Sequence, residues 1–221
     1  MNKIQQLVVA FSLFAFSSTL CNGGVIIPPT DLAPGAKYYL MFITGSGING
    51  QSSDISDYDA FVNSQAQQNI DLSGITWKAL GSTSTVSARQ HLNLGDFPIY
   101  RLDNVRLANN ATDLWDGSIA ATTGGPILTN SFVWTGSNPD GTASSYYLGG
   151  STPVLGFTAF TNSNWIHHRH DFSSSSTHRM LAVSELLTAV PEPATITVWC
   201  LTTCFGLLLR NKRLQTKPNL F

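Results

Sequence analysis

The fold depends most on residues 131–141, which read SFVWTGSNPDG. Phe132, Val133 and Trp134 belong to the residue types that favour strands, and the Trp134 ring has a large apolar surface to bury. Residues 138–141 are turn formers, each for its own backbone reason. We therefore predict a strand that ends in a buried tryptophan, followed at once by an exposed tight turn.

The length of 221 residues predicts one domain together with targeting segments. Charged residues make up only 11% of the chain. Residues 25–190 contain 7 Lys and Arg against 12 Asp and Glu, a net charge of 7 − 12 = −5. No basic patch appears in this part, so we expect no nucleic-acid partner.

The N-terminal segment has the features of a secretory signal peptide. Lys3 supplies a positive charge, residues 7–16 are apolar, and small residues follow. We assign residues 1–23 to the signal peptide, recognised by the Sec translocon, and residues 24–36 to a linker. Cleavage after Ser17 or after Gly23 fits the pattern equally well.

The C-terminal segment combines a short proline motif, an apolar run and a basic cluster. The apolar run, residues 194–209, would span about 24 Å as a helix, slightly less than the ~30 Å hydrocarbon core. The cluster would keep residues 214–221 in the cytoplasm. The motif is Pro191, Glu192 and Pro193, and the basic residues that act as the membrane stop are Arg210, Lys212 and Arg213.

Residues 190–213 resemble the PEP-CTERM sorting signal of exopolysaccharide-producing Gram-negative bacteria. The resemblance implies recognition by an exosortase, which removes the anchor near the proline motif. It further implies a transient stay in the inner membrane, then release to the outer envelope, cell surface or extracellular matrix. A plain single-span anchor is the alternative.

All three cysteines lie in these end segments, at Cys21, Cys200 and Cys204. Export would permit disulfides, yet the region between has no cysteine to form one. We expect its core to stabilise it unaided.

Alternation and helical spacing predict the elements of the exported region. We expect strands at 37–44, 75–80, 98–102 and 131–134, a closing strand at 180–183, and a loop at 148–156. A helix should begin near Ser56 with Asp59 as its capping partner, and helical turns should occupy 88–92 and 110–116. Trp77 and Trp165 are expected in the core. The order indicates an α+β fold with a mainly antiparallel sheet, one or two helices and long loops.

Residues 45–50, GSGING, match the spacing of a dinucleotide-binding loop after a strand. That reading needs a helix to open directly on the glycines. Residues 51–54 intervene and no alternating strand–helix pattern follows. We predict a flexible loop rather than a cofactor site.

Several segments occur in the order and spacing found in endostatin-like domains, and residues 37–189 resemble this family. The matching segments are 57–61, 72–80, 97–100, 133–141, 145–147 and 177–178. The resemblance implies a C-type-lectin-like fold. Ala60, Tyr147 and Thr177 stand where endostatin has cysteines, and its N-terminal zinc-binding histidines have no counterpart here.

Two groups of residues are candidate metal ligands. The oxygens of Asn138 and Asp140 could hold Ca²⁺, although Ca²⁺ takes about 6–8 oxygens and a tight turn is the simpler interpretation. The second group could hold Zn²⁺ or Cu²⁺ through neutral imidazoles, with His168 and His170 on one strand face. Four serines at 173–176 favour instead a mobile, solvated loop, so we expect no metal cofactor. The histidines of the second group are His167, His168, His170 and His178.

The domain shows neither a GxSxG elbow nor a cysteine nucleophile, so we predict that it is not an enzyme. The sequence favours an exported, lectin-like surface or matrix module associated with exopolysaccharide. Its membrane contact would be limited to the C-terminal helix before processing. An enzyme acting on surface polysaccharide and a purely structural matrix protein are the alternatives.

Overall fold

The computed structural model describes residues 28–190, except residues 127, 129 and 172. The predicted signal peptide, the proline motif at 191–193, the apolar run and the basic cluster lie outside the described residues. Within the described part, no helix is long and apolar enough to cross a membrane.

Ten strands and three α-helices make up the regular structure of the described residues. The strands are β1 (Lys37–Ile43), β2 (Ile48–Asn49), β3 (Trp77–Ala79), β4 (Ile99–Arg101), β5 (Arg106–Ala108), β6 (Phe132–Trp134), β7 (Val154–Phe157), β8 (Arg169–His170), β9 (Thr177–Ser184) and β10 (Leu187–Thr188). The helices are α1 (Ile55–Ala66), α2 (Ala88–Leu92) and α3 (Ala111–Leu114), and a short 3-10 helix covers Ser163–Trp165.

The strands form one sheet in the order β5-β4-β1-β9-β6-β7-β8. Of the three remaining strands, β10 pairs with β1, and β2 and β3 both pair with β9. The β1–β4 and β6–β9 pairs are parallel, while the other described pairs are antiparallel. The predicted α+β class, dominated by a mainly antiparallel sheet with few helices, is confirmed.

The sheet is buried on both faces because its central strands are apolar at consecutive positions. Leu40 of β1, Trp77 and Trp134 belong to a first hydrophobic cluster, which α1 covers. Met41, the next residue of β1, belongs to a second cluster on the opposite face. The second cluster includes Trp165 and residues of α2 and α3. The prediction that Trp77, Trp134 and Trp165 are core residues is confirmed.

β9 holds the sheet together, since it pairs with β1, β2, β3 and β6. The predicted closing strand at 180–183 is therefore the central strand, and β10 follows it. The predicted loop at 148–156 is wrong at its end, because Val154 starts β7 and pairs with His170.

α1 begins at Ile55, close to the predicted start near Ser56, but its cap differs, because Asp54 is the N-cap and accepts a hydrogen bond from the Ser56 N–H (2.9 Å). Asp59 does not cap the helix. Its Oδ1 accepts from the Ala79 N–H at 2.7 Å and lies 2.9 Å from Nε2 of His91. The prediction placed the cap two residues too late.

The two ends of the described chain meet at one end of the sheet. The Gly35 N–H donates to the Ala189 carbonyl (2.7 Å), and Lys37 pairs with Thr188. β1 then runs away from this pair for seven residues, roughly 20 Å. The 45–47 loop that follows β1 therefore lies at the far end of the sheet.

Candidate functional site

The predicted histidine ligands are held in separate contacts rather than around one point. The Nδ1–H of His167 donates to the Ser137 carbonyl (2.9 Å). His170 stacks on Tyr146, with ring centroids 4.6 Å apart. Nowhere in the described part do three His, Cys, Asp or Glu side chains come together as metal ligands.

His168 instead completes an aromatic patch, defined as Phe132, Phe157, Phe160 and His168. Phe132 and Phe157 face each other from the paired strands β6 and β7, with centroids 4.8 Å apart. Phe160 lies 5.4 Å from both Phe157 and His168. All four residues are half-buried, so each keeps part of its surface open to solvent.

The imidazole of His168 behaves as part of this apolar surface. Burial, and then the charge of Arg169, lower its pKa below the ordinary histidine value. Its Nδ1 is buried without a hydrogen-bond partner among the described residues. The ring is therefore neutral near pH 7 and offers a flat face rather than a positive charge.

The Arg169 guanidinium lies over the Phe132 ring, 4.1 Å from the ring centroid. Such a cation over a ring face is attracted by the ring quadrupole. The patch thus has a planar donor group stacked on one of its rings.

A groove of about 270 Å³ opens beside the patch and shares Phe132 with it. Its walls are residues 45–47, Ser131, and residues 177–179 at the start of β9. Side chains and backbone of these segments give it hydroxyl, imidazole and guanidinium groups. The groove adds polar partners next to an aromatic surface.

The polar groups of the groove are fixed by contacts behind them. Nε2 of His178 lies 2.6 Å from Oδ2 of Asp171, and the His178 ring meets the edge of Trp134 at 4.7 Å. The Arg179 guanidinium donates to the Thr44 carbonyl (2.7 Å). These contacts orient both side chains before any ligand arrives.

Gly47 explains why the glycine-rich loop can approach β9. A Cβ at this position would lie 2.7 Å from the Thr177 side chain and 2.9 Å from the His178 carbonyl. The prediction of a flexible loop is wrong here, because Ile48 pairs with His178 in β2. Gly47 therefore allows the backbone of this loop to lie close to β9.

The serine-rich segment 173–176 is also held, contrary to the prediction of a mobile loop. The Gly50 N–H donates to the Ser174 carbonyl (2.8 Å), and the Ser174 N–H donates to the Ser151 carbonyl (2.9 Å). Backbone bonds to two other loops anchor the segment. A run of serines indicates that a segment is polar, but it does not indicate which backbone hydrogen bonds the segment makes.

The calcium candidates Asn138 and Asp140 form a turn whose polar groups are used internally. Oδ1 of Asp140 accepts from both the N–H and the hydroxyl of Thr142, at 3.0 and 2.6 Å. These bonds, the hydroxyl first, lower the pKa of Asp140. Nδ2 of Asn138 donates to the hydroxyl of Thr142 and to the Ala143 carbonyl, each at 3.1 Å.

Two His–Asp pairs could in principle belong to a catalytic triad. The His91–Asp59 pair links α2 to α1, whereas the His178–Asp171 pair lies at the groove. Among the described residues, no hydroxyl hydrogen-bonds to the second nitrogen of either imidazole. The arrangement therefore lacks the aligned nucleophile of a hydrolytic triad.

Sequence reasoning missed the aromatic patch. Phe132, Phe157 and Phe160 follow no single period, and three separate segments bring them together with His168. The one feature of the sequence that could have indicated the patch is the high density of phenylalanine near the histidines.

No protein-family model matches the chain, and no curated protein matches it significantly. The endostatin-like resemblance therefore rests on the order of its motifs along the sequence.

Proposed function

We propose that the protein is an exported, non-catalytic, C-type-lectin-like module that binds polysaccharide outside the cell. A PEP-CTERM tail read by an exosortase would direct it to the cell surface or matrix. The observation that carries the proposal is the continuity of the aromatic patch with the polar groove through Phe132.

This pairing of surfaces matches the chemistry of a sugar. A pyranose has apolar C–H faces, which pack on aromatic rings, and hydroxyl groups around its edge. The patch offers the rings, while Arg169, His178 and Arg179 offer donors close by. Partly exposed rings beside polar groups are common at binding surfaces.

The test uses the full chain in mild detergent and exopolysaccharide purified from the organism that makes the protein. Phe160→Ala should weaken retention about tenfold, a loss of ~1.4 kcal/mol. The matched control is Phe97→Ala, which removes a half-buried ring packed on the second cluster. Binding should survive removal of Ca²⁺ by a chelator, because Asn138 and Asp140 are held within their turn.

Equal retention of the Phe160→Ala and Phe97→Ala variants would refute binding at the patch. Loss of binding on chelation would instead favour a calcium-dependent site.

The His178–Asp171 pair favours an enzyme acting on polysaccharide as the second candidate. An imidazole held by a carboxylate at a groove is poised to accept a proton. A turnover assay on the same exopolysaccharide distinguishes the two, since release of reducing ends that stops in His178→Gln would establish the enzyme.

A further inference from the structure

Exposed apolar side chains gather at the end of the sheet where the two ends of the described chain meet. Five large apolar side chains of the described residues are exposed, and three of them lie at this end: Ile70 (68% exposed), Leu186 (39%) and Val190 (62%). The other two, Leu102 and Tyr146, lie elsewhere in the fold. We call the group formed by Ile70, Leu186 and Val190 the apolar end.

Strand pairing places Leu186 and Val190 at this end. They flank β10, whose Thr188 pairs with Lys37, the first residue of β1. The Ala189 carbonyl accepts from the N–H of Gly35, just before β1. Both side chains therefore lie where β1 begins.

The position of Ile70 follows from the contact between α1 and β3. Asn63, near the C-terminal end of α1, hydrogen-bonds to the backbone of Trp77 at the start of β3. Trp77 in turn pairs with Ser184, the last residue of β9. The segment 67–76 joins α1 to β3, so it lies at the same end of the sheet as β10.

Hydrogen bonds hold the turn that carries Ile70. The N–H groups of Leu72 and Ser73 both donate to the Asn69 carbonyl (3.0 Å each). The Leu72 carbonyl accepts from Nε1 of Trp77 (3.2 Å), and the Leu72 side chain is buried in the first cluster. The turn therefore keeps Ile70 outside the core.

The charged residues at the apolar end do not favour an anionic partner. Asp71 and Glu185, which precede or follow the apolar residues directly in the chain, are both exposed and acidic. Lys37, on the strand paired with β10, is exposed and basic. Because acidic groups prevail, attraction to anionic headgroups is not expected. Contact at this end must depend on the apolar side chains.

The chain leaves the apolar end toward the predicted membrane span. Only residues 191–193 separate Val190 from the apolar run at 194–209. Four residue steps reach at most about 14 Å, so a run inserted in a bilayer would hold the apolar end close to the lipid. A tether this short makes the contact intramolecular, and such a contact needs fewer apolar groups than binding from solution.

We infer that the apolar end docks on the lipid bilayer while the C-terminal run anchors the chain, with Ile70 and Leu186 inserted at the level of the headgroups. The inference rests on the membrane anchor of the proposed function. The groove, lined by residues 45–47 and 177–179, lies at the opposite end of the sheet, roughly 20 Å along β1. Docking therefore turns the groove away from the membrane, where a polymer can reach it.

The test uses the full chain inserted into phosphatidylcholine vesicles. A photoreactive residue replaces Gln68, which is exposed and lies two residues before Ile70, and reports lipid contact as a covalent lipid adduct. Flotation with the vesicles reports insertion of the anchor independently. Ile70→Ser combined with Leu186→Ser removes the apolar groups. The matched control is Leu102→Ser, because Leu102 is 41% exposed and follows β4, which runs parallel to β1 toward the groove end.

We expect the unaltered protein and both variants to float with the vesicles. The unaltered protein and Leu102→Ser should form the adduct at position 68, whereas the double variant should form about tenfold less. Ile70→Ser alone, at the most exposed of the three side chains, should give a smaller loss and the melting temperature of the unaltered protein. Adding phosphatidylglycerol should leave the adduct unchanged, and a reporter moved to position 102 should form none.

Flotation without an adduct at position 68, or an adduct that survives the double change, would overturn docking while the anchor stands. Equal adducts at positions 68 and 102, or an adduct that requires phosphatidylglycerol, would also overturn it. A chain that does not float would overturn the anchor and the docking together. Retention on exopolysaccharide is measured separately, so polysaccharide binding stands or falls independently of these results.

Discussion

At the scale of single residues, burial of Tyr58 makes stability depend on alkaline pH. The side chain is fully buried, and its hydroxyl donates to the Ser52 carbonyl (2.9 Å). Desolvation raises the pKa of Tyr58 to about 12. The tyrosine of an unfolded chain loses its proton at about pH 10. Between this pH and the folded pKa of about 12, the unfolded state binds fewer protons than the folded state, so the free energy of unfolding falls as pH rises.

Tyr58→Phe should therefore reduce the loss of stability between about pH 10 and 12. Burial also raises the pKa of Tyr38, so part of the slope should remain. At neutral pH the free energy of unfolding of the variant should be about 1 kcal/mol lower, because the Tyr58 hydrogen bond is lost. Urea unfolding across this pH range is the measurement, with surface Tyr146→Phe as control. An identical slope in Tyr58→Phe and the control would contradict the assignment.

The sequence predicts single buried residues better than single site residues. Trp77, Trp134 and Trp165 are large and apolar, and burial is their lowest free-energy state in most folds. The environment of His168 depends on rings from residues 132, 157 and 160, which only the tertiary fold brings together. Its predicted solvated loop is wrong for that reason.

At the scale of elements, α1 acts on β3 as a neighbouring strand would. Oδ1 of Asn63 accepts from the Trp77 N–H (3.0 Å), and its Nδ2 donates to the Trp77 carbonyl (2.6 Å). Asp59 accepts from the Ala79 N–H in the same row (2.7 Å). Two helix side chains thus satisfy the edge of β3 that no described strand covers.

Asn63→Ala should lower the free energy of unfolding by about 2–3 kcal/mol, because it leaves two partly buried backbone groups of Trp77 without partners. Ser64→Ala, at the next and exposed position of the helix, should cost far less. Denaturant midpoints compare the two variants. Matching midpoints would show that water replaces Asn63 at this edge.

Strand positions are predictable from local pattern, but strand order is not. Residues 75–80 alternate between apolar and polar types, residues 180–183 form a continuous apolar run, and both positions contain strands. Nothing local indicates that β9 pairs with four strands, because each pairing depends on residues far away in the chain. Asn63 gave no signal either, since an amide on a helix usually faces solvent.

At the scale of the whole molecule, the proposed sorting predicts the mass of the mature protein. If an exosortase cleaves near Pro191, Glu192 and Pro193, the mature protein should lack the apolar run and the basic cluster. Intact-mass measurement of the protein from its native host is the test, and an exosortase-deficient strain is the control. A native mass that still includes Phe221 would contradict the proposal.

The meeting of the chain ends beside β1 and β10 also has a mechanical consequence. Residues 177–179 of the groove begin β9, and β9 and β10 run in the same direction toward the C-terminal end. A force applied between the groove and the C-terminal end of the described chain would stretch β9 lengthwise. Since ladder hydrogen bonds lie across the strand, that force would shear many of them at once. Pulling the two chain ends apart would instead unzip the Lys37–Thr188 and Tyr38–Leu187 pairs one after the other. The sheet is therefore stiff along β9 and weak where the two ends of the described chain meet.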